Sequence, residues 1–283
     1  TLSLAACGSS SSKNETTGAS GETAAGSANT AKVIDVDLTS EEYAFGVDKT
    51  QPELLEQTNT FIQKIKDDGT LDAICAKYFG DGEPEAVESA ELDSSKDQLV
   101  VATNAAFEPF EYTKGEDYYG IDMEIAKLLA DELGKELVIE NMDFDAVCLS
   151  VSQQKCDIAM AGLTINEERE EYVTFTDSYY SASQRLIVPS NVTTFDDCKT
   201  ADDVAAKLAE TKSSDQIGVQ QGTTGQYYVE GSEDWDFPGL PAKCVTYKSG
   251  SLAVQDMLNG NIQYVIIDAA PATAITEAIN AVQ

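Results

Sequence analysis

The chain has 283 residues, enough for two modest lobes with cores of their own. Asp and Glu number 50 against 18 Lys and Arg, a formal charge of −32 that repels phosphate backbones and anionic lipid heads, so nucleic acid is excluded as a natural partner and membrane attachment would have to be covalent. Histidine is absent, which removes Ser-His-Asp and Cys-His catalysis and most zinc chemistry, so no metal or cofactor is expected.

The first residues, Leu4-Ala5-Ala6-Cys7-Gly8, resemble a bacterial lipobox, in which the cysteine becomes lipid-modified. The charged and apolar parts of a signal peptide do not precede it, so the sequence is expected to be a truncated form. Residues 8–30 are mostly Ser, Gly, Ala, Thr and Asn; they bury too little to offset ordering entropy and read as a tether. Val33–Leu38 reads as a strand, and Tyr43–Val47 as another. Pro52 opens a helix at the position where its missing N–H costs nothing, with Leu54, Leu55, Thr58, Phe61, Ile62 and Ile65 on one face. Asp68-Gly69 ends it, and Leu71–Tyr78 forms a second helix before Gly80. Residues 81–98, acidic with Pro84, read as a linker.

Leu99–Thr103 reads as a buried strand and Gly120–Leu133 as an amphipathic helix. Leu137–Ile139 is a strand, Phe144–Val151 helical, Asp157–Ala161 a strand, and Glu167 the start of another helical turn. Arg185–Pro189 is extended. A second series follows: helix 201–210, strand Ile217–Val219, the loop Gln221-Gly222-Thr223-Thr224-Gly225, helix 251–259, strand Tyr264–Ile267 and helix 272–280. Strands alternating with helices predict an α/β architecture of two parallel-rich sheets.

Of the six cysteines, Cys75, Cys148 and Cys156 sit among apolar neighbours and read as small core residues. Cys198 and Cys244 are candidates to pair, which spacing alone does not decide.

Several stretches then converge. Gly120-Ile121-Asp122-Met123-Glu124-Ile125, Ala102–Phe110, Ala161-Gly162-Leu163-Thr164-Ile165 with Glu168-Arg169, Gln221–Thr224, and Ile267-Asp268-Ala269-Ala270-Pro271 together resemble the polar amino acid solute-binding proteins of ABC transporters, family 3, of the glutamine-, arginine- and histidine-binding kind. The resemblance implies a type II periplasmic-binding-protein fold: two αβ lobes joined by hinge strands and closing on a ligand. It also exposes a departure in order. In the family, the stretch resembling Val33–Gly80 comes last, after the one resembling Val265–Gln283; here it comes first. A circular permutation is the expected explanation. One lobe would combine residues 42–92 with 97–184, the other 30–41 with 187–283, and residues 81–98 would link the old ends.

The chemistry of a free amino acid assigns roles. Its carboxylate asks for a planar fork and hydroxyl donors: Arg169, one of only two arginines, with Thr164, Thr223 and the amides after Gly222. Its ammonium asks for an anion and acceptors: Asp268 at the carboxyl end of a buried strand, and the Gly162 carbonyl. Phe107 and Phe144 would flank its aliphatic part. Asn104 stands where relatives that hold cationic side chains tend to carry Asp, and Gln220 is equally neutral, which favours a polar neutral ligand such as glutamine over a cationic one. Plainer readings exist: Asp268 as a helix cap, Arg169 paired with a Glu of its own helix, Thr223 and Thr224 as turn residues, the two Phe as core, and Arg185 as a hinge-strand residue. The expected protein is a monomeric, non-enzymatic, lipid-anchored binding protein on the extracellular face of the cytoplasmic membrane that serves an ABC permease. A sensing module and a secreted dehydratase-like enzyme are the alternatives; the sequence displays no obvious carboxylate pair for the latter.

Overall fold

The computed structural model describes residues 29–283; the lipobox resemblance at Cys7 and nearly all of the tether lie outside the described residues. In chain order, β1 (Ala31–Val33), β2 (Glu41–Tyr43) and β3 (Gly46–Val47) precede α1 (Pro52–Asp67) and α2 (Thr70–Phe79). Next come β4 (Gln98–Thr103), β5 (Ala106–Phe107), β6 (Glu111–Lys114), β7 (Asp117–Tyr119), α3 (Ile121–Leu133) and β8 (Glu136–Asn141). A 3-10 turn, Phe144–Ala146, leads into α4 (Val147–Ser152), then β9 (Ile158–Ala159), α5 (Glu167–Glu170), β10 (Thr174–Phe175), β11 (Tyr180–Ala182) and β12 (Gln184–Pro189). The remainder is α6 (Ala201–Leu208), β13 (Gln216–Gln220), α7 (Thr224–Glu230), β14 (Lys243–Tyr247), α8 (Gly250–Leu258), β15 (Tyr264–Asp268) and α9 (Ala269–Asn280).

Two five-stranded sheets organise the two lobes. The first runs β10-β3-β9-β4-β8 and the second β1-β12-β15-β13-β14. Both are mixed rather than parallel-rich. In the first, β4 pairs in parallel with β8 and β9, while β3 is antiparallel to β9 and β10. In the second, β13 is parallel to β14 and β15, while β12 is antiparallel to β15 and β1. The antiparallel strands are the ones next to the lobe crossings. The chain passes between lobes on β2 and back on β11, and these two strands pair with each other, Tyr43 opposite Tyr180. That ribbon is the hinge.

The sequence-level helices hold with small shifts. Pro at its first turn starts α1, and Gly69 at φ 81° separates it from α2. Thr200 and Asp203 close a reciprocal capping box on α6. The strand expected over Val33–Leu38 is strand only to Val33; beyond it the backbone still reaches the second sheet, Ile34 N–H donating to Leu186 O and Leu38 N–H to Gln184 O. The strand expected over Tyr43–Val47 is two pieces, because the chain turns from hinge to sheet between them. The antiparallel β5-β6-β7 sheet was not anticipated. Residues 81–97 form a strap laid on the first lobe: Val87 is buried and bridges Tyr118, and Ala90 N–H donates to Leu137 O.

Arg185 is structural, its guanidinium paired with Asp35 and Asp37 of the crossing segment. Cys198 and Cys244 are free thiols in one apolar cluster of the second lobe. Cys156 is buried, and Cys75 and Cys148 pack against core clusters as small apolar residues.

Gly120 illustrates what the fold demands of one residue. It sits at φ 123°, and a Cβ there would lie 2.2 Å from the Phe110 carbonyl oxygen. That approach lets Asp122 N–H reach Phe110 O at the start of α3. Gly120→Ala should therefore cost about 3 kcal/mol or more, strain plus clash, read as a lowered urea midpoint at unchanged slope.

Candidate functional site

The cleft between the lobes carries the chemistry. Seven of the nine ligand residues expected from the sequence, Phe107, Phe144, Gly162, Thr164, Arg169, Thr223 and Asp268, line one tightly closed crevice, joined by Thr224. The loops after β4, β8, β9 and β13 and the last residue of β15 deliver them, the carboxyl ends of strands where α/β proteins place ligands. The other two, Asn104 and Gln220, meet each other: Gln220 Nε2 donates to Asn104 Oδ1 at 3.0 Å across the cleft.

Arg169 enters from α5, whose first turn is capped by Asn166. Its guanidinium lies 5.3 Å from the Phe144 ring centroid, a cation–π contact. One arm donates to Thr164 O at 2.6 Å and the other to Gly222 O at 2.8 Å. It is 7% exposed, yet no carboxylate among the described residues forms an ion pair with it. The plainer reading, a pair with a Glu of its own helix, is thus not met. A buried cation that lacks an anion is costly unless a ligand supplies one.

Asp268 presents the reverse case. It ends β15, is 4% exposed, and has no Lys or Arg nitrogen within ion-pair distance among the described residues. It sits at the cap position of α9 but makes no capping bond there. The Tyr43 hydroxyl donates to it. Burial, with the charge of Glu41 next, pushes its carboxyl up to about 7.

Thr223 directs its hydroxyl to Gln220 O, the turn role that the sequence left open. Phe107 and Phe144 face each other at 6.4 Å with a 23° interplanar angle and form one wall. Gly162 holds φ 53°, and a Cβ there would strike the Phe107 ring at 2.7 Å, so the ring and the loop fit only because the residue is Gly. The Gly162 N–H is tied to Asp122 Oδ2 at 2.7 Å, and Asp122 also accepts from the Tyr179 hydroxyl.

Contacts across the rim hold the lobes shut. Lys248 pairs with Asp143, Gln221 Nε2 donates to Asp145, and the Tyr227 hydroxyl donates to Glu168.

The sequence missed four acidic or phenolic residues beneath the crevice: Glu41, Tyr43, Glu111 and Asp122. Glu111 and Asp122 also correct the reading that no carboxylate pair exists. Both are fully buried and in side-chain contact. Two carboxylates cannot donate to one another, and Glu111 has no other side-chain partner. Burial, then the charge of Asp122, holds Glu111 well above the usual carboxylate range, so its O–H donates to Asp122. Asp122 itself is pushed up to about 6 by burial. The one signal for Glu41 was the in-out-in burial expected of Glu41-Glu42-Tyr43 on a crossing strand.

The profile of the bacterial extracellular solute-binding proteins, family 3, matches residues 99–268, more than half of the chain. The arginine-binding extracellular protein ArtP of Bacillus subtilis (strain 168) is 35% identical over 95 residues, 34% of this chain and 37% of ArtP. The histidine-binding periplasmic protein of Salmonella typhimurium is 28% identical over 177 residues, 62% of each chain. The chain thus spans 37% and 62% of the length of these two relatives. Among solved structures, an ancestral arginine-binding protein bound to glutamine is 28% identical with a TM-score of 0.53, covering 65% of this chain and 74% of that one.

Proposed function

The chain belongs to the bacterial extracellular solute-binding proteins of family 3, and we propose that it captures one free polar amino acid between its lobes and hands it to an ABC importer. The observation that carries this reading is a pair of opposite buried charges, Arg169 and Asp268, on opposite lobes of one crevice, each lacking a protein counter-ion among the described residues. A zwitterion satisfies both at once: its carboxylate takes the fork of Arg169 and its ammonium takes Asp268. The match of each charge to one end of an amino acid supports binding over dehydratase-like chemistry. Anchoring through a lipid on Cys7 would place the monomer on the extracellular face of the cytoplasmic membrane, beside its permease.

Glutamine is the preferred ligand in this reading. The far wall is built from two neutral amides, and Gln220 Oε1 is buried with no protein partner, an acceptor suited to a ligand amide. The relatives named for arginine and histidine make a cationic ligand the alternative. Calorimetric titration of the purified chain with the twenty amino acids tests both; the expected result is tightest binding of L-glutamine, and no binding of any would overturn the reading. Asn104→Asp should raise the arginine-to-glutamine affinity ratio by about tenfold or more, since a carboxylate within about 4–6 Å favours a cation. An unmoved ratio would take Asn104 out of the side-chain subsite.

We also read the segment order as a circular permutation. Support comes from the end of α9: the Ala31 N–H donates to Asn280 Oδ1 at 2.9 Å and Asn280 Nδ2 donates to Ala31 O at 2.8 Å. A chain that continued from α9 into β1 would need only a short join.

A further inference from the structure

We propose that Glu41 is a ligand-positioning residue that, joined to Asp268 through Gln184 across the hinge, keeps a proton on Asp268, so that an arriving ammonium displaces that proton and capture of an amino acid releases it to solvent. The inference rests on the amino acid reading above and goes beyond it by making binding depend on pH.

The geometry comes first. Glu41 opens β2, the strand on which the chain crosses between lobes, and is 2% exposed. Gln184 joins it to Asp268: its Nε2 lies 3.3 and 3.2 Å from the two Glu41 oxygens, and the residue stands directly opposite Asp268 in the β12–β15 ladder. The Thr164 hydroxyl, from the ligand loop of the first lobe, donates to Glu41 at 2.8 Å, and the Thr39 hydroxyl donates as well. Every one of these partners is a donor. Asp268 accepts from the Tyr43 hydroxyl and the Gln184 side chain. Neither carboxylate has a Lys or Arg nitrogen in ion-pair contact among the described residues. Burial of Asp268, with the charge of Glu41 next, keeps a proton on Asp268.

The groups packed around them do not supply the missing charge. Glu111 of β6 and Asp122 of α3 already share a proton of their own. Tyr43 of β2 and Tyr179 are buried and held well above the ordinary phenol range, so both stay neutral. Tyr180 of β11 and Cys75 of α2 are likewise raised by burial and neutral. Arg169 of α5 directs its arms to the carbonyls of Thr164 and Gly222 and forms no ion pair with Glu41 or Asp268.

The balance is simple. Before binding, Asp268 is a neutral acid. The ligand's ammonium keeps all three of its protons, Asp268 loses its one to water, and the new ion pair is flanked by Glu41. The folded value of Asp268, about 7, lies above the ordinary 3.8. The proton is therefore present below about pH 7, where binding must expel it and affinity falls about tenfold per pH unit of acidification; above that the linkage vanishes.

Calorimetric titration of the full chain with L-glutamine and with L-arginine, in two buffers of different ionisation enthalpy, reads the released proton directly. About one proton per amino acid is expected near pH 6, falling toward zero by about pH 8.5. Glu41→Gln removes the like charge, so the release near pH 6 should drop and the affinity there should approach its value near pH 8. Equal heats in both buffers near pH 6, with binding intact, would overturn the proton linkage and leave the amino acid reading standing. Failure of every amino acid to bind at any pH would overturn that reading and the linkage with it. The wild-type comparison decides even if Glu41→Gln does not fold.

Discussion

Arg169→Lys is expected to weaken amino acid binding by about 30-fold to several thousand-fold while leaving the protein folded. Truncating one partner of a buried, hydrogen-bonded charge pair costs about 2–5 kcal/mol, which converts to that range. Lysine keeps the charge, so the loss isolates geometry. The guanidinium plane lies against Phe144 while its two arms are fixed by carbonyls from opposite lobes, Thr164 O and Gly222 O. That arrangement holds a flat fork in one orientation at the crevice wall. An ammonium cannot bridge both carbonyls, stack on the ring and meet a carboxylate in a bidentate way. The bond to Gly222 O also ties the lobes together, so the variant loses part of the closure as well. Lys248→Ala is the control, since its pair with Asp143 is exposed and screened by solvent. Titration of both variants with the tightest wild-type ligand, beside a thermal melt, gives the answer. An Arg169→Lys affinity within about threefold of wild type would remove the residue from carboxylate recognition.

The ligand loops could be read from the sequence because each is a run of neighbouring residues whose types state their task. Gly162, Thr164 and Arg169 lie within eight positions of one another, and Thr223 follows the Gly222 turn. The long helices α1 and α3 announced themselves by period. What stayed hidden depends on distance in sequence. Glu41 looks like half of an exposed acidic dipeptide; its burial is decided by Thr164 and Gln184, 123 and 143 positions away. Glu111 and Asp122 are ordinary surface-type residues until β6 and α3 fold over the same loop and press them together. The mixed sheets were missed for a related reason. β3, β10 and β9 are two residues long, too short for any periodicity, and they owe their strand character to their neighbours in the sheet.

A chain rearranged to run from Glu83 to Gln283 and then, through about three glycines, from Thr30 to Asp81 should fold as a monomer and bind the same amino acid within about threefold of the original affinity. The junction is short because Ala31 and Asn280 already exchange two hydrogen bonds, so the new peptide follows a path the ends nearly trace. The new break falls at Gly82, in an exposed stretch without regular structure, and leaves the strap from Val87 onward intact on β7 and β8. The hinge keeps both of its strands, and so both ends of the Glu41, Tyr43 and Asp268 constellation. Omitting residues 30–81 altogether should have the opposite result, loss of the folded state. β3 lies inside the first sheet between β10 and β9, and Phe45, Phe61 and Ile62 are buried core. Removing them leaves an internal gap in the sheet and a stripped apolar face, beyond what a domain of ordinary stability tolerates. Light scattering, urea unfolding and calorimetric titration of the three chains separate the outcomes. If the rearranged chain binds only as a dimer, segment exchange between two chains replaces closure within one; if it fails to fold while the original binds, the order of segments is not interchangeable and the permutation reading falls.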